Sequence, residues 1–168
     1  MKTSVPQVLD EVEKVKSFDE KVKVLLSYNS TPLRGLLNLN FNPNLKMNLP
    51  EGEPPFKKDT SIPIGYSETN LYTEWRRFYI WVEPKPELSK VRKEQLFVQM
   101  LEGIHWKEAE VVCLAKDKKL HARYKSLNEK LVRAAFPQLL PPPAPKPIQK
   151  QKEEVVVKKD GGPSSVDS

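Results

Sequence analysis

One segment constrains this chain more than any other. Residues 42–68, NPNLKMNLPEGEPPFKKDTSIPIGYSE, hold five prolines and two glycines with little helical period. Proline has no N–H to give to a helix or an inner strand, so the segment must run as irregular backbone. It nevertheless carries Leu45, Met47, Leu49, Phe56, Ile62 and Ile64. A mobile linker has no use for six apolar anchors, so the expectation is a packed strap lying across whatever flanks it.

What flanks it reads as helix. Val5, Val8, Leu9, Val12 and Val15 recur at helical spacing. Ser17-Phe18-Asp19-Glu20 is a capping box, predicting a helix to about Tyr28 that buries Val22, Leu25 and Leu26. Thr31-Pro32 has the form of an N-cap followed by proline in the first turn, opening a third helix through Leu33, Leu36 and Leu37. After the strap, TNLYTEWRRFYIWV (69–82) places Leu71, Trp75, Phe78, Tyr79 and Val82 on one face, with Thr69 as the cap. LSKVRKEQLFVQMLEGI follows, with Val91, Leu96, Phe97, Met100 and Leu101 facing inward and Gly103 closing it. Ser126-Leu127-Asn128-Glu129 forms a second capping box, ahead of LNEKLVRAAF, which Pro137 ends. No repeat of 20–50 residues is present.

From FPQLLPPPAPKPIQKQKEEVVVKKDGGPSSVDS onward the composition turns to Pro, Lys, Gln and Ser, with no aromatic after Phe136. Such a segment buries too little apolar surface to offset its ordering entropy, so 141–168 is expected to be a disordered tail. PPPAPKP within it favours extended polyproline geometry. The reading is therefore all-α: a small orthogonal helical domain of about six helices over residues 1–140, with the strap at 42–68 and the tail behind it. The remaining body, about 140 residues, is long enough to bury a core without staples.

Composition narrows the function classes. A single cysteine, Cys113, leaves no intramolecular disulfide and points to a reducing compartment. The N-terminal MKTSVPQVLDEVEKVKSFDEK lacks a signal-peptide core, no apolar run approaches about 18 residues, and residue 2 is Lys. The expectation is no membrane association.

QMLEGIHWKEAEVVCLAKDKKL (99–120) carries the densest chemistry. Two helices joined at Gly103 resemble a helix-turn-helix, with Ile104 in the angle and Ala109 and Val112 inward. The second helix, however, carries Glu108 and Glu110, which phosphates repel, and no Arg, Asn or Gln lies between 104 and 115 to read bases. Two packed core helices are the better reading. His105 and Glu108 at i, i+3 have the spacing to share a metal, but a site needs three or four ligands and His121 is the only other histidine. Cys113 lies among Val111, Val112 and Leu114, where a thiol is packing. No phosphate loop, dinucleotide fingerprint, nucleophile elbow or metalloprotease helix is present. The reading is non-enzymatic, with no cofactor and no metal.

What remains is charge. Lys plus Arg outnumber Asp plus Glu by 28 to 22, a net +6. Lys116, Lys118, Lys119, Arg123, Lys125, Lys130 and Arg133 stand against only Asp117 and Glu129. Arg76 and Arg77, with Lys90, Arg92 and Lys93, form two smaller clusters. Such a set would neutralise several phosphates of DNA or RNA.

LPEGEPPFK (49–57), NLYTEWRRFYIWV (70–82), LFVQMLEGIHWKEAEVVCLAKDKKL (96–120) and YKSLNEKLVRAAFPQLLP (124–141) together resemble a family of short proteins of T4-like tailed phages, including cyanophages. The resemblance spans about residues 17–141. It implies a viral protein at work in the host cytoplasm, and no site residues, because the family has no assigned activity. The expected role is an accessory protein that binds nucleic acid or a replication or transcription complex through the seven cations. The alternative is a protein–protein adaptor or virion assembly factor acting on a phage or host protein through the strap (Pro54, Pro55, Phe56) and the tail.

Overall fold

Helix is the only regular structure among the described residues, 3–82 and 87–142 of a computed structural model. The expected tail, apart from its first two residues, lies outside them. The elements are α1 (Val5–Lys14), α2 (Phe18–Ser27), α3 (Thr31–Phe41), α4 (Leu71–Glu74), a 3-10 turn (Trp75–Arg77), α5 (Tyr79–Val82), α6 (Lys90–Gly103), α7 (Trp106–Lys116), α8 (Leu120–Arg123) and α9 (Glu129–Ala135).

Helix starts follow local side-chain chemistry. Ser17 and Glu20 form the expected box, with the Ser17 hydroxyl accepting from the Glu20 N–H. Ser30, not Thr31, caps α3, so Pro32 falls one residue further into the first turn. Asn70, not Thr69, caps α4, because its side-chain oxygen reaches the Thr73 N–H at 3.0 Å. The second box does not form. Asn128 caps α9 through the Leu131 N–H, and the Ser126 N–H is taken by Glu13 of α1 at 2.8 Å. A long-range acceptor outcompetes the local one there.

The segment 69–82 breaks where a single helix was expected. The backbone tightens to a 3-10 turn at Trp75–Arg77, which rotates the following residues. Ile80 and Trp81 turn inward and Tyr79, expected on the core face, is 47% exposed. Gly35 of α3 receives the indole of Trp75: a β-carbon there would stand 1.8 Å from Trp75 Cζ2. Trp75, Phe78, Trp81 and Phe97 then form a ladder of rings with centroids 4.2, 5.2 and 5.5 Å apart. It ties the short helices to α6, and Trp81 Nε1 donates to the Lys93 carbonyl at 2.9 Å.

α7 is the centre of the fold. It packs against α1, α3, α6 and α8, and Ala109, Val111, Val112, Cys113 and Ala115 are all buried. Its wet strip is narrow, carrying Lys107 and the part-exposed Glu110, and its other charged residues face neighbours. Glu108 and Lys116 are consequently buried as well. α6 and α7 meet in the tight connection expected at Gly103, with Ile104 buried in the angle. A β-carbon at Gly103 would crowd the Thr69 side chain at 3.0 Å, and the Thr69 N–H donates to the Gly103 carbonyl. Elsewhere two inward expectations fail. Leu26 is 49% and Val91 65% exposed, since each stands at the edge of its helix's packed stripe.

Candidate functional site

The strap is held against α7 by that helix's own polar residues. Met47 is fully buried, and Leu45, Leu49 and Phe56 pack onto the core. The Asn48 N–H donates to the Trp81 carbonyl at 2.7 Å. Lys116, with its side chain only 2% exposed, donates to the carbonyls of Pro50 (2.7 Å) and Gly52 (3.0 Å) and pairs with Asp117 at 2.7 Å. Asp117 in turn accepts from the Gly52 N–H at 3.0 Å. Glu102 accepts from the Lys57 N–H at 2.8 Å, and Glu110 pairs with Lys58 at 3.5 Å.

His105 belongs to the same system. Its Nδ1 accepts from the Lys107 N–H at 3.1 Å, capping α7, and its Nε2 donates to the Ile62 carbonyl at 2.9 Å. The two bonds fix the tautomer with the proton on Nε2 and leave neither nitrogen for a metal or a proton relay. Among the described residues no group of three or more His, Cys, Asp or Glu comes together as a metal site. Cys113 is buried and its thiol is pushed up to about 12 by that burial, far from the reactive range.

Of the seven cations expected to bind phosphate, two are bonded inside the protein. Lys116 is consumed by the strap. Lys118 donates to Leu39, Asn42 and Leu45 carbonyls at 2.6, 2.8 and 2.7 Å, satisfying the C-terminal end of α3. It also occupies the left-handed position (φ 60°) of a Schellman ending, with Lys119 N–H to Leu114 carbonyl at 2.8 Å and its own N–H to Ala115. Glycine usually takes that position; here the three carbonyl bonds offset the strain. Burial, then repulsion from Lys46, lowers its ammonium below the usual lysine range. At these two positions the ammonium is bonded to three protein acceptors, which take all three of its donors.

The other five lie on the surface with mixed partners. Arg123 pairs with Glu110 at 2.9 Å, Arg133 with Glu129 at 2.7 Å and Lys119 with Glu51 at 3.5 Å. Lys130 stands over the Phe18 ring at 5.5 Å, and Lys125 is exposed. Of the smaller clusters, Lys93 is buried and Arg77 pairs with Glu74 at 3.3 Å.

With the strap pinned, cavities are defined along its edges, two of which bear on function. The larger, 820 Å³, lies between Leu49–Pro55 and α6, with Val91, Phe97 and Val98 on the helix side and the charged Glu51, Glu53, Arg92, Glu94 and Glu102 also lining it. Lys116 lies at its end, its ammonium already bonded. Sequence reading missed this groove because Val91 had been assigned to the core. The signal was present, since Val91 lies two residues after the Ser89 cap, where a helix end clears its neighbours.

The second cavity, 350 Å³, lies where the first turns of α1, α4 and α7 converge. Glu108, 3% exposed, projects there from the third position of α7. Its carboxylate accepts from the backbone N–H groups of His105 and Leu71, so it caps two helices at once. Burial nonetheless pushes it up to about 6, outweighing those two bonds, which act in the opposite direction.

A model built from related sequences matches residues 8–122, more than half of the chain. The chain belongs to DUF6433, a family of unknown function. The match runs from within α1 through α7 and takes in the whole strap and its staples, so the groove lies within the DUF6433 region, while Ser4 and Gln7 of the Glu108 cavity lie just ahead of it. Arg123, Lys125, Lys130 and Arg133 lie beyond it. No curated protein matches this DUF6433 chain. No helix among its described residues is long and apolar enough to cross a membrane.

The pH dependence of the Glu108 cavity has a definite sign. A carboxyl raised in the folded state loses its proton later than in the unfolded chain, so folding becomes less favourable as pH rises from about 4.5 to 6. The expected result is that wild type loses about 2 kcal/mol of stability relative to Glu108→Gln between pH 4 and pH 7.5. Urea unfolding of both proteins across that range is the measurement; parallel curves would refute it.

Proposed function

We propose that the protein is a non-enzymatic adaptor that grips an extended apolar segment of a partner protein between its strap and α6. The observation that carries this reading is the 820 Å³ groove, one wall of which is irregular backbone held by buried bonds. An open apolar groove with a pre-set wall costs little ordering entropy when it binds. Val91, a large apolar side chain left 65% exposed on that groove, suits contact with a partner. The resemblance to proteins of T4-like tailed phages supports the infected bacterial cytoplasm as the setting. The partner would then be a phage or host protein.

Nucleic-acid binding is the competing reading, and two of its seven contacts are spent inside the protein. A photo-crosslinking amino acid placed at position 91 or at position 125, in infected cells, separates the two. The adaptor reading predicts a protein adduct from position 91 that survives nuclease. Adducts from position 125 alone, lost on nuclease treatment, would replace it with the nucleic-acid reading.

A further inference from the structure

The two walls of the large groove offer a bound chain different chemistry. On the helix side, Val91, Glu94, Gln95, Val98, Gln99 and Glu102 fall on one stripe of α6, spaced i, i+3, i+4, i+7, i+8, i+11. The strap wall has little backbone to give. Pro50, Pro54 and Pro55 lack an N–H, the Gly52 N–H goes to Asp117, and the Pro50 and Gly52 carbonyls accept from Lys116. A bound chain therefore cannot join the strap as a strand joins a sheet edge. Its backbone has to be met by side chains. Gln95 and Gln99 are exposed amides that make no side-chain hydrogen bond among the described residues. They stand about 6 Å apart along the axis, and alternate residues of an extended chain repeat at about 6.6 Å. Each amide has donors and an acceptor, so the pair matches successive peptide groups on one edge of an extended segment. A helical ligand, its backbone bonded internally, would leave both idle.

Charge adds a second selection. Glu51, Glu53, Glu94 and Glu102 line the groove against Arg92 and Lys116, and the Lys116 charge is taken by Asp117. Glu51 pairs with Lys119 at 3.5 Å, Glu53 pairs with Lys58 at 3.3 Å, and Glu102 accepts from the Lys57 N–H. All six residues are exposed, and Lys58 is shared with Glu110. Such surface pairs hold weakly. Glu94 has no ion pair among the described residues. On a chain of net charge +6, this groove is a region of acidic excess.

Resting on the adaptor reading, we propose that the partner's segment is extended and basic. Its backbone bonds Gln95 and Gln99, its aliphatic side chains lie on Val91 and Val98, and its lysines or arginines face Glu94 and Glu102. An acidic segment would be repelled by the same carboxylates, as would a nucleic acid. KQKEEVVVKK (150–159) of this chain has part of that chemistry, but its two glutamates would meet the acidic lining, which favours a separate polypeptide.

The test titrates the full chain at pH 7.5 into fluorescently labelled octapeptides and follows anisotropy. A peptide alternating Lys and Val should bind saturably and more weakly as salt rises, and one alternating Glu and Val at least about tenfold more weakly. Gln95→Met with Gln99→Met keeps side-chain length and removes the amides; it should weaken the Lys–Val peptide about tenfold. Methylating alternate backbone nitrogens of the peptide should cost as much and leave the double change nearly silent, a coupling that altered shape alone does not give. Glu94→Gln should weaken binding about threefold and flatten its salt dependence. The three substituted positions are exposed on α6, so folding is not at stake. No saturable binding, equal binding of the Glu–Val peptide, or affinity untouched by the double change overturns the proposal. So does affinity that rises about tenfold when Lys150, Lys152, Lys158 and Lys159 become Gln, since the chain's own tail would then be the occupant. If one of these results is obtained while position 91 still crosslinks to protein, the basic-segment inference falls alone. Loss of that crosslink takes the adaptor reading with it.

Discussion

Lys116→Met is expected to destabilise the protein by about 3 kcal/mol in urea unfolding, while Lys125→Met changes it by less than about 0.5 kcal/mol. Methionine keeps the apolar stem and removes the ammonium. That leaves the Asp117 carboxylate, itself only 11% exposed, without its cation, and strips the Pro50 and Gly52 carbonyls of their donor. Removing one partner of a buried pair costs several kcal/mol because the other charge stays buried. The lower end applies here, since Pro50 and Gly52 lie at the surface and water can reach their carbonyls once the strap loosens. Proteolysis within residues 50–58 should accelerate in the same variant. Equal stability of Lys116→Met and Lys125→Met would mean that Lys116 is an ordinary surface cation, and the strap would lose its main anchor.

Trp81→Ala should be costlier still, about 4 kcal/mol. Trp81 is fully buried, contacts Phe78 and Phe97 edge-on, and donates to the Lys93 carbonyl, while its own carbonyl receives the Asn48 N–H of the strap. Truncation leaves a cavity at the junction of α5, α6 and the strap and removes the indole bond to the Lys93 carbonyl. Trp81→Phe refills much of the volume and loses only the indole bond and some packing, so about half the cost is expected. A loss below about 1.5 kcal/mol for Trp81→Ala would show that the junction collapses around the gap, and that the ring ladder does not hold the strap side of the fold.

Both predictions concern features that sequence reading approached from one side. Helix starts were legible where a capping residue and its target N–H are local, in full at Ser17–Glu20 and to within one residue at Ser30 and Asn70. They failed where a distant group competes, as Glu13 does for Ser126. Apolar anchors in 42–68 foretold a packed strap, and Met47, Leu45, Leu49 and Phe56 pack as expected. The polar half of the same contact was not legible. Lys116 and Lys118 look like any surface lysine in a list of charges, and only the approach of Pro50, Gly52, Leu39 and Leu45 carbonyls from other parts of the chain reveals their use. His105 and Glu108 were noticed for their i, i+3 spacing; that spacing proved to be the geometry of a helix cap shared between helices.

The sequence by itself determined the class of fold, because helix periodicity, capping residues and proline breaks act over three to seven residues and need no distant partner. It also determined that residues 42–68 run as irregular backbone packed against the helices. Only the tertiary structure decided which charges face water. α7 packs against α1, α3, α6 and α8, so its Glu108 and Lys116 found partners inside the protein; beside the local His105 N–H and Asp117 carboxylate these include the Leu71 N–H and the Pro50 and Gly52 carbonyls, whose position no local pattern encodes.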